Sequence, residues 1–173
     1  MPITQLVVIW LNKVLNKLKI KTLGNILWHF PFFGFVTSLF TAILGLIFMA
    51  TFIGIPIGLG LLQHSKFLLT PFSSRMIPDS KAGNKRSPFM KVFGIVVFIL
   101  YLPFGILTSL VTVIQIALLF CTIVGIPVAL VLAKSLSTYF NPIGKVCVSS
   151  SVADELEKRA ASVKADKILG TQS

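Results

Sequence analysis

Apolar positions run almost unbroken through two long stretches. No Asp, Glu, Lys or Arg occurs from Thr22 to Ser65, 44 residues, or from Val92 to Ala133, 42 residues. Some 18 apolar residues without charge already predict a membrane helix. A 44-residue helix would be roughly 66 Å long against a hydrocarbon core of about 30 Å, so neither block can be one straight span. Each block must fold back, and the strongest breakers inside them are Gly54-Ile55-Pro56 and Gly125-Ile126-Pro127. Proline removes an amide donor and pushes the preceding residue out of the helical region. The pattern therefore predicts long helices over 34–53 and 105–124, turns at Gly54, Pro56, Gly125 and Pro127, and shorter helices over 57–70 and 128–141. Before the first block, residues 3–21 alternate as a basic amphipathic helix, with Leu11, Val14, Leu15 and Leu18 opposite Asn12, Lys13, Asn16 and Lys17. After the second block, residues 145–149 read as a strand that Arg75-Met76-Ile77 could pair with. Ser151 with Asp154 reads as a capping box opening a charged helix to about Ile168.

The two blocks are copies of one unit, 71 residues apart. Phe33-Gly34-Phe35-Val36-Thr37-Ser38 returns as Phe104-Gly105-Ile106-Leu107-Thr108-Ser109, and Gly-Ile-Pro returns as Gly-Ile-Pro. Over residues 33–71 the ungapped pairing gives 14 identities in 39 columns, many of them Gly, Pro and Thr or Ser, which a Leu-rich composition does not align by accident.

Charge then predicts a topology. Net charge is +11, distributed as +4 before the first block, +5 between the blocks and +2 after the second. Basic short loops stay cytoplasmic, so each block should enter and return on the same side, and a tandem copy keeps its orientation only if it crosses an even number of times. The expected fold is an all-α integral membrane protein of two tandem parallel helical hairpins, about four transmembrane or re-entrant helices. A basic amphipathic helix (residues 1–21) precedes repeat 1 (22–72). A basic cytoplasmic loop (73–91) joins it to repeat 2 (92–148), and a cytoplasmic tail or helix (149–173) follows. Both termini are expected inside. Anionic headgroups are the expected partners of the positive charge, with Lys13, Lys17, Lys66 and Lys134 as contacts. Nucleic acid is not, because the bases flank membrane segments without aromatic interleaving.

Small and hydroxylated residues mark one side of each long helix: Gly34, Thr37, Ser38 and Thr41 in the first copy, Gly105, Thr108, Ser109 and Thr112 in the second. Such a face packs helices closely, and the expectation is that it forms the seam between the repeats. The rival is a pore lining, favoured by Gln115, which the first copy lacks. Neither block contains a carboxylate, so the usual intramembrane proton or sodium relay is missing. His29 and His64 read as interfacial packing residues, and Cys121 and Cys147 as free thiols. No phosphate loop, triad spacing or metal cluster is present. The expectation is a protein that is not an enzyme and has no cofactor and no metal.

The repeated Ile53-Gly54-Ile55-Pro56 and Val124-Gly125-Ile126-Pro127, with Asn141-Pro142-Ile143-Gly144-Lys145-Val146 and Gly24-Asn25-Ile26-Leu27-Trp28, resemble the YccF inner-membrane family over residues 23–155. The chain departs from the pattern at Pro71-Phe72-Ser73, which lacks the glycine, and in its added basic N-terminal helix. The resemblance implies a bacterial inner-membrane protein with two copies of one membrane domain, and it transfers no functional residues. Two functions follow: a structural or assembly component meeting lipid, other membrane proteins or a homo-oligomer, or a small oligomeric channel or transporter lined by the Thr/Ser faces.

Overall fold

The computed structural model describes residues 3–30, 32–83, 87–123 and 125–170. Eight elements follow in order: α1 (Ile3–His29), α2 (Gly34–Ala50), α3 (Ile55–Leu69), β1 (Ser74–Pro78), α4 (Pro88–Phe120), α5 (Ile126–Phe140), β2 (Lys145–Ser149) and α6 (Ser150–Leu169). The offset of 71 survives to the residue: α3 maps onto α5 and β1 onto β2 without slippage.

Each hairpin turns the same way. In the first tip the Thr51 hydroxyl donates to the Phe48 carbonyl at 2.8 Å and accepts from the Gly54 amide at 3.2 Å. In the second, Thr122 donates to Leu119 and accepts from Gly125, both at 3.1 Å. A Cβ on Gly54 or Gly125 would collide with that carbonyl and that hydroxyl. Pro56 and Pro127 lie in the first turn of the returning helices, where a missing amide costs nothing.

The copies differ upstream. α1 ends at His29, and the helix axes of residues 16–29 and 34–50 differ by 74°, with Phe33 in the left-handed region at φ 51°. The second copy has Tyr101 two residues ahead of Pro103, and its helix runs through that proline, so α4 reaches 33 residues. The amphipathic helix expected to end at Lys21 thus continues to His29. Of its apolar face only Leu18 has a described side chain, and it is exposed; Leu11, Val14 and Leu15 lie outside the described side chains, as does Asn12.

β1 and β2 pair antiparallel, Ser74 opposite Ser149 and Met76 opposite Cys147. Met76 and Cys147 are themselves 71 apart, so the centre of the pairing joins equivalent residues and a local two-fold axis passes between them. That axis reverses directions lying in the sheet, and the hairpins obey it. The Phe52 ring at the first tip packs 5.8 Å from Phe93, near the start of α4. The second tip follows Phe120, 27 positions further along the same helix, roughly 40 Å away. Between them, the end of α5 meets the middle of α4, where Tyr101 and Thr108 donate to the Tyr139 carbonyl at 3.1 and 3.3 Å. The hairpins are therefore antiparallel, which corrects the expected parallel pair.

The expectation of about four spans is also not what the helix lengths give. Among the described residues α4 alone is long and apolar enough to cross a membrane, or two spans if residues 16–29 and 34–50 are counted as one broken helix. At 17, 15 and 15 residues, α2, α3 and α5 reach only about 22–26 Å. The capping box is corrected too: Ser149, not Ser151, caps α6, accepting from the Val152 amide. Asp154 instead pairs with Arg75 of β1 at 3.0 Å and docks α6 on the sheet.

Candidate functional site at the seam between the repeats

The repeats meet through α3, α5 and the two strands. The core cluster, Trp28, Phe67, Leu68 and Val131, with Phe72, Met76, Val128 and Cys147 against it, draws on both copies. Gly60 of α3 lies so close to the Pro142 carbonyl that no Cβ fits between them. Equivalent positions 63 and 134 both reach across: the Gln63 carbonyl oxygen accepts from the Cys147 amide at 3.2 Å, and Lys134 Nζ donates to the Pro71 carbonyl at 3.0 Å. Lys134 also stands over the Phe72 ring, 5.2 Å from its centroid. Its ammonium is thus held by the first repeat, while the residue stays exposed, as Lys13, Lys17 and Lys66 are.

At the centre of the seam lies a group of polar side chains shut away from solvent. His64 of α3 is wholly buried, stacked on Phe67 at 5.6 Å and edge-on to Tyr139 at 5.1 Å. Neither of its ring nitrogens has a hydrogen-bond partner, nor do the buried hydroxyls of Ser135 and Thr138 on α5. His64 and Ser135 are repeat equivalents. Sequence reading places His64 at an interface with lipid; the offset of 71, which pairs it with a serine on the facing helix, is the signal that could have placed it at the seam.

Around this group the charge is basic. Lys145 donates from Nζ to the Ser137 carbonyl and, at 2.9 Å, to its hydroxyl, covering the last turn of α5. Burial lowers the Lys145 pKa from 10.5 to about 8. Burial also pushes the Cys147 thiol up, against the opposing pulls of a Ser74 hydrogen bond and of Lys66. Arg75 and Lys21 lie close enough to Lys134 to act on it electrostatically. An open groove of about 510 Å³ runs beside α1, lined by Asn25, His29, Phe30, Phe35 and Leu69 among others.

The small and hydroxylated faces are not this seam. Ser38 is buried and donates to the Ser65 carbonyl of its own hairpin at 2.8 Å. Thr41 donates to the Thr37 carbonyl, and Thr112 to that of Thr108. Gly34 packs under the Trp28 ring and Gly105 against the Phe140 carbonyl. Ser109 Oγ is buried without a partner, Thr37 is exposed, and Gln115 is exposed on α4. Among the described residues no hydrogen bond from these faces crosses to the other repeat. Each face closes its own hairpin, and the two faces do not meet. No three His, Cys, Asp or Glu converge among the described residues.

Residues 23–74, from the later part of α1 to the first residue of β1, match the family model of the YccF inner membrane component domain. No curated protein and no solved structure matches the chain. The matched domain points to an inner-membrane location.

Proposed function

We propose that the protein is a structural or assembly component of the bacterial inner membrane, with both termini cytoplasmic and with lipid and other membrane proteins as partners. One observation carries the reading: most polar side chains in and beside the apolar blocks hydrogen-bond inside the fold, while His64, Ser109, Ser135 and Thr138 hold buried polar atoms without a partner. Hydroxyls close the turns and the hairpins, and Gln63 and Lys134 tie one repeat to the other. The outer surfaces of α2 and α4 carry Leu, Ile, Phe and Val, with Lys91 the sole charge on either helix. A surface of that kind is solvated by lipid and offers no group to a reaction.

The channel reading keeps one observation in its favour, the exposed Gln115 on an otherwise apolar helix. Reconstitution into liposomes separates the two. The expected outcome is no flux of ions or small solutes above protein-free vesicles, and retention of the protein in membranes washed with alkaline carbonate. Robust flux that Gln115→Leu abolishes would replace the structural reading with the channel.

A further inference from the structure

We infer that the two hairpins lie along the cytoplasmic leaflet instead of crossing it, with the local two-fold axis along the membrane normal. α2 and α4 are then sunk among acyl chains, and the sheet and α6 face the headgroups. The inference rests on the inner-membrane reading above.

Three observations lead to it. First, the tips are at opposite ends of α4, so an upright molecule would put one tip at each face of the bilayer and the hairpin bases halfway between. Those bases hold Lys134, Lys145, Arg75 and Asp154. An upright pose would bring this charge cluster to bilayer mid-depth, where ionised side chains are most costly. Laid flat, the same cluster reaches the headgroup layer, where basic groups meet anionic phosphates.

Second, charge is sorted by element. α3 and α5 pack against the strands, and α6 and Arg75 cover that side. α2 packs on α3, and α4 on α5, away from the strands. Between them α2 and the stretch from Val92 to Phe120 hold no charge and expose Leu39, Leu46, Ile47, Leu107, Leu110 and Leu118. The occupant of this face is the acyl layer, because Arg75, Lys145, Asp154 and the charged helix α6 stand on the other side.

Third, both tips are built for hydrocarbon. Phe52 and Ile123 are 72% and 88% exposed, and the threonine in each turn satisfies a carbonyl and an amide that would otherwise need water. Two chemically equivalent tips sit naturally at equal depth, which an axis along the membrane normal provides and an upright pose does not.

The test uses the full chain with Cys121 and Cys147 replaced by Ala and single cysteines introduced by Phe52→Cys and Ile123→Cys. A second pair six residues back, Leu46→Cys and Ala117→Cys, serves if a tip variant fails to fold. In spheroplasts, a membrane-impermeant maleimide should label no site from the periplasm. In phosphatidylethanolamine–phosphatidylglycerol vesicles carrying spin-labelled lipids of two depths, a fluorophore on either equivalent site should give the same quenching ratio. Periplasmic labelling of Ile123→Cys, or quenching that places the two tips at different depths, overturns the flat pose while leaving the membrane reading intact. Release of the protein by alkaline carbonate overturns both.

Discussion

Gly125 lacks a side chain because the Leu119 carbonyl and the Thr122 hydroxyl already occupy the space a Cβ would take. Gly125→Ala should therefore strain the second turn by roughly 1–3 kcal/mol, the usual cost of overpacking. A thermal melt in detergent micelles should show a lowered midpoint, with Gly54→Ala giving a similar shift because the first turn repeats the geometry. Lys145 makes a prediction about pH. Below pH 8 its ammonium is charged whether the chain is folded or not, so the burial penalty is constant. Between about 8 and 10.5 the unfolded chain still holds the proton that the folded protein has released. Stability should rise with pH across that window and level off above it. Lys145→Met should flatten the rise, read from melts at a series of pH values.

Among the elements, the strand pair allows a direct check of register. The Asp79 amide bonds the Gly144 carbonyl and the Ser150 amide the Ser73 carbonyl, so the alternate pairs, Met76 with Cys147 among them, are the narrow ones whose side chains approach closely. Met76→Cys should form a disulfide with native Cys147 under mild oxidant, seen as a reductant-sensitive rise in melting temperature. Because burial raises the Cys147 thiol, the crosslink should form faster as pH increases. No such bond would mean the register is wrong. The strand pair, the hairpin turns and the returning helices were legible in the sequence: β-branched residues near a Gly, and Gly-Ile-Pro between apolar runs, are local signals. The length of α4 was not. Alignment of the copies starts at Phe104, and the segment before it has no counterpart that stays helical, since in the first copy one helix ends at His29 and the next starts at Gly34.

For the whole molecule, the seam is the test. Gly60 has Val131 as its repeat equivalent, yet it faces the Pro142 carbonyl with no room to spare. Gly60→Val should separate the repeats enough to unseat the Gln63–Cys147 and Lys134–Pro71 bonds. The expected result is a loss of stability on the order of 2–3 kcal/mol, with faster proteolysis between the repeats while each hairpin keeps its helical signal. Retained resistance to protease would show that the seam is held by something other than this contact.

The sequence by itself determined that the chain is apolar in two blocks, that the blocks are copies, and where each one turns. All of these depend on residues near one another along the chain. It could not determine how the copies face each other. The charge pattern and the even-crossing rule both predicted parallel hairpins because both assume helices that stand along the membrane normal. Tertiary structure decided otherwise through one pairing, Met76 opposite Cys147. An antiparallel ladder centred on equivalent residues carries a two-fold axis, and that axis turns one hairpin against the other. It also buries His64 against Tyr139 of the facing helix and moves the hydroxyl faces from the seam into the hairpins. The Met76–Cys147 pairing and the His64–Tyr139 contact join residues more than 70 positions apart, and no local pattern of polar and apolar positions encodes them.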